Sequence, residues 1–393
     1  MDGNRVKNPA VIRFNHSPGE EITNAREVLT GCCVIPKFPR NVGLHLDYVG
    51  QLPSVVPRGH VRVRLTTRPI QHVDMKIIRT GGYKELRSRD FVTIGAEGVG
   101  FIHEIGEDVK SDLHRNQRVM PVLFWDNLLK KGNGSWQSYV DVAEENVFPL
   151  PEVSKESADY VPDEVAAQFV ITAWTALGLF HTAVAGIQEG RFLLLSAPSS
   201  TIGRHVLGIS KSKNINIIAV VRKDEQKSLF KEMGVEHVIC ANSSKEVFVE
   251  QVKKITGEGG AHAAIDGVGA ETTMKLGACL RDEGELLIFD NAAGTDSDDH
   301  VKISLGDLKR KIQVKWWTLT DYVKIRKGNR EETREAMTKL FNETLNLYKE
   351  KLLIFPTHEK VFTFDELPEA LDVIGEIKND FHKCKLLLVN HKE

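Results

Sequence analysis

Residues 191–222, RFLLLSAPSSTIGRHVLGISKSKNINIIAVVR, constrain the fold more than any other stretch of the chain. Phe192–Leu195 and Ile215–Val221 are short, continuous apolar runs bounded by polar turns, the pattern of strands buried on both faces. Between them Ile202, Val206 and Ile209 recur at helical spacing, so a helix can lie back over both strands. Strand, tight turn, helix and strand make one βαβ unit, the kind that receives a dinucleotide phosphate at its helix N-terminus. The second strand ends on Arg222, where the adenosine ribose of a dinucleotide would lie. An acidic side chain there accepts from a free 2′-hydroxyl, whereas an arginine suits a 2′-phosphate, so the expected cofactor is NADPH.

The turn itself departs from G-x-G-x-x-G. Ala197 to Gly203 read A-P-S-S-T-I-G and contain a single glycine, where glycines normally permit the tight turn and the close approach of backbone to pyrophosphate. Ser199, Ser200 and Thr201 offer small side chains and hydroxyl donors instead. By itself this turn leaves nucleotide binding and an ordinary βα connection equally open.

A chain of 393 residues is long for one core, which favours two domains. With 41% hydrophobic and 27% charged residues it reads as globular, and a net charge of −2 gives no argument for nucleic acid or an acidic membrane as partner. No apolar run reaches the roughly 18 residues needed to span a bilayer. The cysteines, Cys32, Cys33, Cys240, Cys279 and Cys384, form no CxxC pair and have no zinc-ligand spacing, so free thiols are expected. Residues Met1 to Pro9 show neither a signal-peptide apolar region nor a transit helix, which suggests a cytosolic chain or one recorded without its targeting peptide.

Up to about Pro151 the chain alternates short β-runs with turns: Val61–Leu65, Val92–Ile94, Phe101–Ile105, Arg118–Val122 and Ser138–Val142, which predicts a compact β-barrel-like domain. From about Ser154 helix and strand alternate. A helical segment over Val161–Ala183 leads into the βαβ unit, and buried strands follow at His237–Ala241, Ala263–Asp266, Glu285–Asp290 and Gln313–Thr318. Six strands with helices between them are the count of a full dinucleotide fold. A charged amphipathic helix through Tyr348 and an apolar strand at Lys385–Val389 close the chain, the strand returning to the first domain. The expected boundaries are 1–153, 154–321 and 322–393.

Particular residues carry a family resemblance over nearly the whole chain. His72-Val73-Asp74 with Gly81-Gly82-Tyr83 resembles the N-P-S-D…Q-G-x-Y segment of mitochondrial 2-enoyl thioester reductases, which are zinc-free medium-chain dehydrogenases/reductases. Gly95 to Gly100 resembles their G-N-E-G-V-G, Gly134-Ser135-Trp136 their G-T-W, and Ser199 to Gly203 their N-S-G-V-G. Val220-Val221-Arg222 resembles V-V-R, and Asp307-Leu308-Lys309 with Trp316-Trp317 resembles D-L-K…F-W. The resemblance implies an α/β fold, a doubly wound Rossmann sheet plus a GroES-like β-barrel catalytic domain. Zinc-dependent relatives place a cysteine in C-H-S-D and a histidine in G-H-E; here those places hold Gln71 and Ala96, so no metal is expected.

The resemblance also implies a reaction. A nicotinamide cofactor would supply hydride to the β-carbon of an α,β-unsaturated thioester, the charge collects as an enolate, and Tyr83 matches the family's proton-donating tyrosine. Thr172, Thr175, Ser199, Ser200, Thr201 and Ile202 are implied at the cofactor, with Arg222, Lys223 and Asp224 around the 2′-phosphate. Phe289, Asp290, Asn291 and Ala292 would lie on the nicotinamide side, with Trp316, Trp317 and Thr318 walling the crevice and Lys383 nearby. The partner is then a small acyl thioester on coenzyme A or an acyl carrier protein, in a mitochondrial homodimer. Departures are Thr172 for the family's asparagine, Thr201 for its turn glycine, Lys223-Asp224 for D-R, and Phe289-Asp290-Asn291-Ala292 for Y-G-G-M. They keep two alternatives open: an NADPH quinone oxidoreductase, and a diverged NADPH-binding protein without catalysis.

Overall fold

The computed structural model describes residues 10–15, 42–47, 53–80, 84–87, 89, 91–185, 190–257, 259–290, 310–325, 329–356, 358–376 and 384–390. They divide into two units, Met1–Ile171 with Pro356–Glu393, and Thr172–Phe355.

In the first unit β1 (Ala10–Asn15), β2 (Val42–Asp47) and β4 (Phe91–Thr93) form an antiparallel sheet in the order β2-β1-β4. The larger sheet is built on β3 (His60–Pro69), whose neighbours are β5 (Val99–Ile105) and β7 (Tyr139–Ala143). It continues through β6 (Arg118–Pro121) to β8 (Val147–Pro149). Val61, Val63 and Leu65 alternate along β3 toward one face, where they meet Ile102, Val119, Val140 and Val142. After β3 the chain enters the helix His72–Thr80, which the β-rich reading of this region did not anticipate.

The second unit is the expected doubly wound sheet. Its strands are β9 (Phe192–Ser196), β10 (Asn216–Val221), β11 (His237–Cys240), β12 (Ala261–Asp266), β13 (Leu280–Ile288) and β14 (Gln313–Trp316). All pairings are parallel, in the order β11-β10-β9-β12-β13-β14. The order reverses between β9 and β12, the switch point outside which such sheets bind ligands. Leu194, Ile218, Val220, Ile239, Ala264 and Leu286 pack with Phe248 and Val252 of the helix Lys245–Thr256, which explains why these strands read as unbroken apolar runs.

The chain then returns to the first unit. There β15 (His358–Thr363) pairs in parallel with β16 (Cys384–Val389), which adds antiparallel to the Thr67–Pro69 end of β3. The boundaries differ from those expected at 153/154 and 321/322, falling at 171/172 and 355/356. Asp163 is held in the first unit by Thr66 Oγ1 at 3.0 Å and by Arg118 Nε at 2.6 Å. The long helix Arg330–Lys349 belongs to the second unit, where Glu343 meets His181 Nε2 at 3.0 Å. The helical segment expected over Val161–Ala183 consists of Asp163–Ala166, a widened turn at Phe169–Ala173, then Trp174–Val184.

Candidate functional site

Parallel pairing puts the carboxyl ends of β9, β10, β12, β13 and β14 on one edge of the second unit's sheet, with Ser196 opposite Val220 and Ile288 opposite both Asp266 and Trp316. The connections that carry Ser199 to Ile202, Arg222 to Asp224, and Phe289 with Asp290 therefore leave from the same edge. At the switch point Ser196 Oγ donates to Asp266 Oδ1 at 2.6 Å and accepts from Gly267 N–H at 3.0 Å. Thr273 Oγ1 donates to Asp266 Oδ2 at 2.5 Å, so the buried carboxylate fastens β9, β12 and the following helix together.

The turn after β9 is held by its own atoms. Ala197 has φ +48°, a left-handed conformation that favours glycine. Ser200 is the N-cap of the helix Thr201–Ser212: its Oγ accepts from Gly203 N–H at 3.0 Å and donates to the Ala197 carbonyl at 2.9 Å. A Cβ on Gly203 would lie 2.4 Å from that same carbonyl, so the single glycine serves the packing of turn on helix. The Ser200 hydroxyl, expected as a donor to a nucleotide, is thus spent on the backbone. Ser199, Thr201 and Ile202 stay partly exposed at the helix end.

Arg222 is exposed at the end of β10, and its guanidinium has no hydrogen bond or ion pair among the described residues. Its backbone N–H and that of Lys223 donate to Gln226 Oε1 at 3.1 and 3.0 Å, which fixes the turn. Asp224 pairs with Lys227 at 2.7 Å.

Thr172 is buried with Oγ1 3.3 Å from His205 Nε2 on the βαβ helix. Because Ile354 N–H donates to His205 Nδ1, the imidazole proton sits on Nε2. Burial and the neighbouring Arg204 charge push His205 down to about 3, so it is neutral. Thr175 lies partly exposed in the helix Trp174–Val184. The Phe289 ring covers Gly267, whose Cβ would lie 2.5 Å from Phe289 Cζ. Asp290 follows, half-buried. Trp316, expected to wall a crevice, is 56% exposed on the edge strand, and Trp317 packs on Gly178 with Nε1 donating to Thr182 Oγ1 at 3.1 Å. Thr318 caps the helix Leu319–Tyr322, its Oγ1 accepting from Asp321 N–H at 3.1 Å. Tyr83, Asn291, Ala292 and Lys383 lie outside the described residues.

The first unit contains a buried polar cluster that the sequence reasoning missed. Asp74, in the first turn of the helix His72–Thr80, accepts from Gln71 N–H at 2.8 Å and Ala96 N–H at 3.0 Å. Glu97 accepts from Ile171 N–H at 2.8 Å and from the Gln71 amide, whose carbonyl end takes Lys385 Nζ. Burial pushes Asp74 up to about 7 and Glu97 up to about 8, and pushes Lys385 down to about 8. Gln71 and Ala96 stand at the two places where the resemblance implies a cysteine and a histidine in zinc-dependent relatives. Ala96 has no donor atom and both ends of the Gln71 carboxamide are engaged, so the residues present do not fit a zinc ion. Among the described residues no group of three or more His, Cys, Asp or Glu is placed to hold a metal.

Two family descriptions match: "Alcohol dehydrogenase GroES-like domain" over residues 57–152 and "Zinc-binding dehydrogenase" over residues 201–340. A mitochondrial enoyl-[acyl-carrier-protein] reductase of Dictyostelium discoideum is 25% identical over 79% of this chain and 81% of its own. A 2-haloacrylate reductase of a Burkholderia species is 24% identical over 64% of this chain and 69% of its own. Among solved structures, a protein described as an NADPH:quinone reductase from Bacillus thuringiensis superposes with a TM-score of 0.73 at 23% identity, covering 98% of this chain and 99% of that one. The two descriptions together take in more than half of the chain, one on each unit, and the strand order of the second is that of the Rossmann sheet. On these grounds the chain belongs to the medium-chain dehydrogenase/reductase family of oxidoreductases.

Proposed function

We propose that this protein uses NADPH to reduce a carbon–carbon double bond conjugated to a thioester carbonyl. The observation that carries the cofactor half is Arg222, a cation with no partner among the described residues at the end of the strand beside the switch point, as a 2′-phosphate requires. The Arg204 Nε, buried with no partner among the described residues in the first turns of the βαβ helix, is what a phosphate-bearing group would satisfy. Bound nicotinamide supplies a hydride. The chain must then orient the acyl group, stabilise the enolate oxygen and hold a proton for the α-carbon. Tyr83 suits the last role, since a phenol with an ordinary pKa of about 10 keeps its proton at neutral pH.

The substrate half is supported by the relatives, whose names specify an enoyl carrier-protein substrate and a haloacrylate. Each has a double bond conjugated to a carboxyl-derived group. A mitochondrial location is supported by the first of these relatives, and a homodimer by the exposed Trp316 on the edge strand β14. Consumption of NADPH with a short trans-2-enoyl-CoA tests the reading. Turnover is expected with NADPH, and Tyr83→Phe is expected to lower kcat by about 10²–10⁴-fold. Unchanged turnover in the variant removes Tyr83 from the reaction, and turnover with a quinone but with no enoyl thioester transfers the assignment to quinone reduction.

A further inference from the structure

Three arginines are buried among the described residues, and they differ in what they hold. Arg62 grips Asp141 through Nε at 2.8 Å and Nη2 at 3.0 Å. Arg68 donates to the carbonyls of Leu65, Thr66, Ser135 and Gln137 and to Asn390 Oδ1. Arg204 is 9% exposed, its Nε is sealed from solvent, and its guanidinium has no hydrogen bond or ion pair among the described residues.

Its position makes this unusual. Arg204 is the fourth residue of the helix Thr201–Ser212, and side chains in a helix lean back over the preceding turn. The guanidinium is therefore carried toward the helix N-terminus, where the dipole and free N–H groups already disfavour a cation. Ser200 Oγ takes the Gly203 N–H, and the Ser200 carbonyl takes that of Arg204 at 2.9 Å. The N–H groups of Thr201 and Ile202 are left without an acceptor among the described residues. Two unspent backbone donors and a buried unpaired cation then share one helix end.

We propose that Arg204 is a diphosphate-binding residue: with the Thr201 and Ile202 N–H groups it holds the pyrophosphate of the dinucleotide, supplying a charge where the turn lacks glycines. This rests on the nicotinamide-cofactor reading and adds to it a residue outside the turn. It also predicts a pattern distinct from that of Arg222, because the pyrophosphate is common to both dinucleotides and the 2′-phosphate belongs to NADPH alone.

Fluorescence titration of the full chain with NADPH and NADH tests the assignment. Arg204→Gln is expected to weaken both by a similar factor, about tenfold to a hundredfold, with Arg204→Lys recovering part of the loss. Binding of both within twofold of the unmutated chain overturns the role of Arg204 while leaving the cofactor reading intact. If the unmutated chain binds neither dinucleotide, the cofactor reading falls, and inorganic pyrophosphate then decides for Arg204. A rise in melting temperature with pyrophosphate that is lost in Arg204→Gln sustains the anion site, and no rise in the unmutated chain overturns it. Without ligand, Arg204→Gln should melt no lower than the unmutated chain, since the guanidinium has no partner among the described residues to lose. A fall of more than about 5 °C would reveal such a partner and overturn the proposal.

Discussion

The buried cluster of the first unit and the helix end of the second handle polarity in opposite ways. Around Asp74, Glu97 and Lys385 the carboxylates accept from backbone N–H groups and the Gln71 carboxamide joins Glu97 to the lysine. At the βαβ helix, Arg204 is buried with its Nε sealed and has no partner among the described residues, and the two N–H groups at the helix start have no acceptor among them. Protein interiors rarely leave a nitrogen such as Arg204 Nε unmet. Among the described residues the cluster's polar groups meet one another or the backbone, which fastens the chain. The unsaturated helix end has its groups in reserve. Within one molecule, satisfaction separates structural polarity from binding polarity better than residue type does.

The largest expected effect lies in the saturated cluster. Lys385→Met removes the cation facing Asp74 and Glu97 and should destabilise the protein by about 3–5 kcal/mol, the usual cost of stranding buried charge. The sign with pH follows from the carboxyls. Folded, they titrate at about 7 and about 8, whereas the unfolded chain releases the same protons near pH 4, so the folded state holds more protons between those values. Stability therefore falls as pH rises through that window, and without Lys385 the fall should steepen. Lys385 itself acts oppositely above about 8, where the folded chain has lost a proton that the unfolded chain keeps. Urea unfolding at pH 5.5 and pH 8 checks this: the loss should be greater at pH 8, and an equal loss at both would mean that the cluster is not held by charge.

These two regions were not equally legible. The second unit could be read because strands buried on both faces produce unbroken apolar runs and the helix between them keeps its period, and both patterns are local. Arg222 followed from the strand end alone. The cluster was hidden because its parts are distant in sequence: Gln71 and Glu97 are 26 positions apart, and Gln71 and Lys385 are 314 apart. A lone lysine heading the run Lys385–Val389 was the available signal, since charge inside an apolar strand needs a partner. Arg204 passed unnoticed for a related reason, because only the fold shows that a charged residue beside a predicted helix start is enclosed. Trp317 and Thr318 are the converse case, where the family resemblance implied a crevice. The structure spends one on Gly178 and the other on a helix cap.

An intermediate effect sharpens the unsaturated side. Arg222 is a second cation without a partner among the described residues at the same sheet edge, but an exposed one. Arg222→Ala should weaken NADPH by about tenfold to a hundredfold, matching about 1.5–3 kcal/mol for a charge-assisted bond, and leave NADH within about twofold. Parallel titrations of the two dinucleotides read the difference directly. Equal loss of both would place Arg222 at a group common to the two and remove the argument for NADPH over NADH.

The smallest expected effect falls on the border between the two kinds of polarity. Ser200 stands at the open helix end, yet its hydroxyl is saturated, accepting from Gly203 N–H and donating to the Ala197 carbonyl. By the satisfaction rule it belongs with the fastening groups. Ser200→Ala should therefore cost about 1 kcal/mol of stability as a lost N-cap, because the Gly203 N–H is left unmet. It should change NADPH affinity by less than about threefold, since the hydroxyl has no donor to spare. Urea unfolding and a fluorescence titration on the same sample measure both. A tenfold loss of affinity at unchanged stability would move Ser200 across the border, and satisfaction in the unliganded turn would no longer predict which groups meet the cofactor.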